Sequence, residues 1–272
     1  MTRNISPSDN DFRARIGESY QGRWAIIAEK IDACLRTGEV DLSRLFYMLT
    51  LETKAWKPAP ELGGALGFDI NRPPLAVRRL ARDWIADTVI EHAEGVDAII
   101  ETGAGWGCNL FCIWLRGGPD VPYHSLELIE EACSACRTVS ESVKNGPRIE
   151  AKQFDFYTPN ISDLNGRYSH PLIFSNAAID KVGVLPHSYI DQILDLAPKV
   201  TVLSFEFLEW QFRHKGAAPD AATLSRIDKD DLNRNYLPLI YQYEEGRLVD
   251  IKEMIPRVMG RELSFLHWEK RS

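Results

Sequence analysis

Apolar residues recur at three- and four-residue steps through the first third of the chain, and the period then changes. Ile16, Tyr20, Trp24, Ile27 and Ile31 mark a helix over 11–35, Leu45, Phe46, Met48 and Leu49 a second over 42–51, and Val77, Leu80, Trp84, Ile85 and Val89 a third over 75–93. Past residue 98, short apolar runs alternate with helical stretches. Strands are expected at 98–102, 123–128, 148–154, 171–175 and 199–205, with helices from about 108, over 129–143 and after Pro186. Such alternation implies a mainly parallel sheet covered on both faces. Two β-like runs at 247–251 and 263–268, with Gly246 before the first, Pro256 between them and Gly260 before the second, read as an antiparallel finish. Between the second and third helices, Pro58, Pro60, Gly63, Gly64, Gly67, Pro73 and Pro74 punctuate 54–74, the composition of a linker, part of which could fold over a site. The expected layout is a helical extension with its linker over 1–74, serving as a lid or a dimer surface, followed by an α/β domain over 75–272.

Composition narrows the function classes. A chain of 272 residues, 44% hydrophobic and 26% charged, can build one sizeable core. With 32 Lys and Arg against 39 Asp and Glu, the net charge of -7 argues against a broad grip on nucleic acid or an anionic membrane. No apolar run reaches bilayer length, and Met1-Thr2-Arg3-Asn4 lacks the apolar centre of a secretory signal, so the cytoplasm is the expected location. Five cysteines do not make a disulfide framework. Cys133-Ser134-Ala135-Cys136 has the spacing of a redox or zinc pair, but without a second such pair helix packing is the better reading and no metal is expected. Cys108 and Cys112, one turn apart, read as small residues packed under the sheet.

The chemistry concentrates where the first strand ends, at Glu101-Thr102-Gly103-Ala104-Gly105-Trp106-Gly107. Alternate glycines allow a sharp turn at positive φ and the close approach of a ligand, and the helix behind offers free N–H groups. A dinucleotide fingerprint wants its third glycine at the sixth position, which here is Cys108. An acidic residue followed by Gly-x-Gly-x-Gly instead resembles the first motif of the class I S-adenosylmethionine-dependent methyltransferases. That resemblance covers about residue 93 onward and leaves out the helical preface. It implies a Rossmann-like seven-stranded sheet with helices on both faces, S-adenosyl-L-methionine as cofactor with S-adenosyl-L-homocysteine as product, and cofactor contacts at Glu101, Gly103, Gly105 and Gly107. Glu127, 24 positions after Gly103 at a strand end, sits where a carboxylate can accept from both ribose hydroxyls; the alternative is a solvated strand end. Asp155 and Phe156 match the family's adenine contacts, although Asp155 could instead cap the turn at Thr158-Pro159. Asn176 closes the fourth strand at the cofactor crevice.

The acceptor is less legible. Asn176-Ala177-Ala178-Ile179 lacks the prolines and aromatic of nucleobase amine methyltransferases, which disfavours a nucleobase. Glu206 and Glu209, with Phe205, Phe207 and Trp210 around them, could bind a guanidinium or ammonium group, which favours a small-molecule nitrogen acceptor; they could also be a solvated face or pair with Arg213. His187 could be the base for a hydroxyl acceptor or merely a residue packed at a helix start, and Asp180 is a further candidate near a strand end. An oxidoreductase using a nucleotide, or a cofactor-binding scaffold without catalysis, are the competing classes. An apolar stripe on the helical preface makes a homodimer one expected assembly.

Overall fold

A computed structural model describes residues 7–36, 74–143, 146–212, 221–256, 258 and 263–271. The second expected helix, the linker over 54–73, Arg213 and Gly260 lie outside the described residues, and Pro74 at the linker's end opens a helix. Helix α1 (Pro7–Leu35) is followed by α2 (Pro74–Glu91), β1 (Ala98–Thr102), α3 (Cys108–Leu115), β2 (Tyr123–Glu127), α4 (Glu130–Ser142), β3 (Ile149–Gln153) and β4 (Pro171–Asn176). Then come α5 (His187–Asp195), β5 (Thr201–Glu206), α6 (Ala221–Asp230), α7 (Tyr236–Glu245), β6 (Val249–Ile255) and β7 (Ser264–Lys270).

The strands form one sheet in the order β3-β2-β1-β4-β5-β7-β6, parallel through β5 and antiparallel at β7 and β6. Strand β1 sits near the middle with both faces covered, which is why its run of Ala98, Ile99 and Ile100 is uninterrupted and wholly buried. Successive residues feed opposite layers. Ile99, Leu172, Phe174, Leu203, Phe205 and Phe265 pack with α1, α2, α3 and α4, while Ile100, Ile173, Val202 and Leu266 pack with α5 and α7. Helix α1 lies on α4, burying Ile27 and Ile31.

All five cysteines are free. Cys133 and Cys136 are fully buried on α4, and burial pushes both thiols up to about 12, as suits packing rather than reactive cysteines. No described helix is long and apolar enough to cross a membrane.

Candidate active site

Strand β1 runs straight into the glycine turn, and Gly103, Gly105 and Gly107 have φ of 73°, 55° and 77°. The turn is fastened to β2: Gly103 N and Ala104 N both donate to Leu126 O, at 2.7 and 3.1 Å. The next residue, Glu127, closes the fastening with its side chain. Its Oε2 accepts from Gly105 N at 2.8 Å and its Oε1 from Ile129 N at 3.1 Å. Burial raises this carboxyl above its ordinary range, against the pull of those N–H groups.

A cavity of about 400 Å³ opens at the carboxyl ends of β1 to β4. Gly103 and Gly105 form one wall. A Cβ on Gly103 would run into Ala178, and one on Gly105 would lie 2.7 Å from the Trp24 ring. On the β2–β3 side stand Glu127, Asp155 and Phe156. Asp155 Oδ1 accepts from Tyr157 N at 2.8 Å and Oδ2 from Thr158 Oγ1 at 3.3 Å, so it makes the turn considered from the sequence while also lining the cavity. Phe156 packs on Tyr189 with ring centroids 5.2 Å apart. On the β4 side stand Asn176, Ala178, Lys181 and Val182. Tyr20 and Trp24 of α1, their rings stacked at 6.5 Å, complete the wall from outside the sheet.

The segment after β4 is held in an unusual shape. Ala177 has φ of 50°, a left-handed conformation that costs a non-glycine residue roughly 1–2 kcal/mol. Two fastenings over-determine it. Ala177 N donates to Phe205 O at 2.9 Å, and the Glu206 carboxylate accepts from Ala178 N at 3.0 Å and Asp180 N at 3.1 Å. Farther along, the buried Asn233 takes over. Its N donates to Asp180 O at 2.9 Å and its Nδ2 to Val182 O at 2.7 Å.

The fold is similar to that of solved methyltransferase structures. Geranyl diphosphate methyltransferase, in complex with GPP and sinefungin, superposes with a TM-score of 0.53 over 81% of this chain and 87% of that one, at 8% identity. This chain has the class I methyltransferase fold. An SAH-bound methyltransferase of Podospora anserina (TM-score 0.48, 15% identity, 85% and 95% of the two chains) and the SAH-bound magnesium protoporphyrin IX methyltransferase of Synechocystis PCC 6803 (0.47, 12%, 74% and 90%) are also similar. No protein-family model and no curated protein matches the chain.

On this methyltransferase fold the residues singled out from the sequence divide. Gly103, Gly105, Glu127, Asp155, Phe156 and Asn176 line one cavity. Gly107 does not. It precedes α3, and a Cβ there would lie 2.6 Å from Cys136 Sγ, so this glycine serves the packing of α4 against the turn. Glu101 is also off the cavity. Its Oε1 accepts from Asn109 Nδ2 at 2.6 Å, its Oε2 is buried without a hydrogen-bond partner, and burial pushes its carboxyl up to about 8. It is Asn109, in the first turn of α3, that lines the cavity.

The four acceptor-side candidates are not brought together in the cavity. Glu206 is wholly buried, its carboxylate taken up by backbone N–H groups, so the open acidic pair with Glu209 does not form; Glu209 is half-buried in the short turn Glu209–Gln211. Burial and the neighbouring Asp180 push Glu206 up to about 8. Asp180 is fully buried and ion-paired to Lys181. His187 is exposed at the start of α5, its ring 5.9 Å from Tyr243, and does not line the cavity. For Glu206 the reason is that a strand end points side chains alternately into the crevice and into the layer below; Asp180 and Glu209 sit in short turns and His187 at a helix start, where the direction of a side chain is set by how the chain turns away from the sheet.

Three lining residues carried little signal. Trp24 read as one more apolar position of an amphipathic helix, and neither Lys181 nor Asn109 was singled out. For Asn109 no pattern was available; for Lys181 its place just past β4, at the crevice, was the available clue.

Proposed function

We propose that this protein is an S-adenosylmethionine-dependent methyltransferase acting on a small molecule. The observation that carries the reading is the convergence on one cavity of the glycine cradle, Glu127 at the β2 end and Asp155-Phe156 at the β3 end. These residues fit the group. Gly103 and Gly105 border the cavity with bare backbone, and each Glu127 oxygen retains a lone pair beyond the one given to Gly105 or Ile129 for a ribose hydroxyl. Asp155 and the Phe156 ring suit a purine edge and face. The bound cofactor supplies an activated methyl group. What remains for the chain is to orient an acceptor and keep water out, which the Tyr20–Trp24 wall and the strained turn at Ala177 serve. A cavity of about 400 Å³ suits a nucleoside-sized cofactor with a small acceptor, and the charge of -7 disfavours nucleic acid as that acceptor.

Calorimetric titration with S-adenosylhomocysteine and, in parallel, NADH tests this. Saturable micromolar binding of the first and none of the second is expected. Binding of NADH in its place, or of neither, overturns the reading.

A further inference from the structure

Charge is sorted along the crevice. The two carboxylates that line it, Glu127 and Asp155, stand at the ends of β2 and β3, on one side of the glycine turn. The β4 side carries Lys181, the one cationic side chain among the described lining residues. The acids nearest Lys181 are turned away from the cavity: Asp180 and Glu206 are 0% exposed and do not line it. Asp180 Oδ2 pairs with Lys181 Nζ, while its other oxygen is buried without a partner. The ammonium group also lies 5.6 Å from the centre of the Phe207 ring. It is therefore held from behind, by a buried anion and an aromatic face, with its side chain still 35% exposed. An ammonium carries three donors, and Asp180 Oδ2 engages one of them. Glu127 and Asp155 flank the half of the crevice assigned to the nucleoside, so the β4 half is left to the acceptor, walled by Ala178, Val182 and Tyr20 with Lys181 as its charge.

Resting on the methyltransferase reading, we propose that Lys181 recognises an anionic oxygen on the acceptor, a carboxylate or an acidic phenol carried by a small, largely apolar molecule. A protonated amine at the same place meets a fixed like charge, whereas an oxyanion gains a charge-assisted hydrogen bond in a partly enclosed, low-dielectric site. The choice also suits what the cavity lacks. His187 lies outside it and Glu206 beneath it, so among the described residues the β4 half offers no side-chain base; an acceptor that arrives ionised asks for none. The nitrogen acceptor expected from an open Glu206–Glu209 pair is thereby replaced.

The test uses the full chain saturated with S-adenosylhomocysteine, titrated calorimetrically with 4-hydroxybenzoate and with tyramine, two phenols of similar size and opposite charge. The benzoate should bind at least tenfold more tightly. Lys181→Met should abolish that preference and Lys181→Arg retain most of it, with the S-adenosylhomocysteine Kd within about twofold of wild type in both. Equal or tighter binding of tyramine overturns the proposal, as does a preference that survives in Lys181→Met or a loaded protein that binds neither probe. The comparison of probes on the wild-type protein decides the matter even where Lys181→Met fails to fold. A chain that does not bind S-adenosylhomocysteine fails at the loading step, which identifies the broader reading as the one at fault.

Discussion

The three glycines of the turn look equivalent in the sequence and do different jobs in the structure. Gly103 and Gly105 border the cavity, whereas Gly107 borders Cys136. Gly107→Ala therefore forces a left-handed backbone and a Cβ 2.6 Å from a sulfur, a combined cost of about 1–3 kcal/mol. Thermal melting should fall by roughly 2–4 °C for each kcal/mol, with the S-adenosylhomocysteine Kd changed less than threefold. Cys136→Ala in the same chain should recover part of the loss by removing the sulfur. A melt unchanged by Gly107→Ala would refute the packing role. Glu206 shows the converse lesson. Its place at a strand end beside aromatics suggested a ligand-facing acid, yet it caps two backbone N–H groups of the Ala177 turn.

At the scale of elements, α1, expected as part of a lid or a dimer surface, lends Tyr20 and Trp24 to the cavity wall. Its apolar spacing foretold a helix and a buried stripe, and Ile27 and Ile31 do bury on α4. That Trp24 continues the stripe onto Gly105 depends on how α1 crosses the sheet, which no periodicity encodes. Trp24→Ala should weaken S-adenosylhomocysteine binding about tenfold, near 1.4 kcal/mol, chiefly through faster dissociation. Stopped-flow displacement measures it, and an unchanged dissociation rate would remove α1 from the site. The strands of the sheet were legible because strongly apolar runs between glycine and proline punctuation leave few alternatives. Helix α7 was not, since Leu237-Pro238 reads as a break; the proline falls in the first helical turn, where its missing N–H has no partner to lose. Side-chain direction at strand ends was the other illegible quantity, and it is what divided Glu127 from Glu206.

Across the whole molecule, two buried carboxyls set a pH dependence. Burial holds Glu101 and Glu206 near 8, above the 4.5 of an unfolded glutamate, so the fold favours their neutral forms. Their stabilising effect is complete below pH 4.5 and lost as pH rises through 8. His267, lowered to about 4 by burial and by His92, acts oppositely, destabilising the fold as pH falls below 6.5. Between pH 6.5 and 8 the carboxyls dominate, with up to about 1.4 kcal/mol per pH unit from each. Melting temperature should drop by several degrees from pH 6.5 to 8.5, and Glu206→Gln should flatten part of that slope. A flat profile in the wild type would contradict the burial of both groups as charge-averse sites.

The sheet order has a consequence for how the protein is made. Strand β7, synthesised after both β5 and β6, inserts between them. Until Lys270 emerges, the outer edge of β5 has no neighbour, and its row of unpaired N–H and C=O groups is open to other chains. Lys270 Nζ then reaches Leu194 O at 2.6 Å and Ala197 O at 2.8 Å, tying the late strand to the end of α5. Nascent chains stalled before β7 should therefore depend on holding chaperones more than chains stalled just after it.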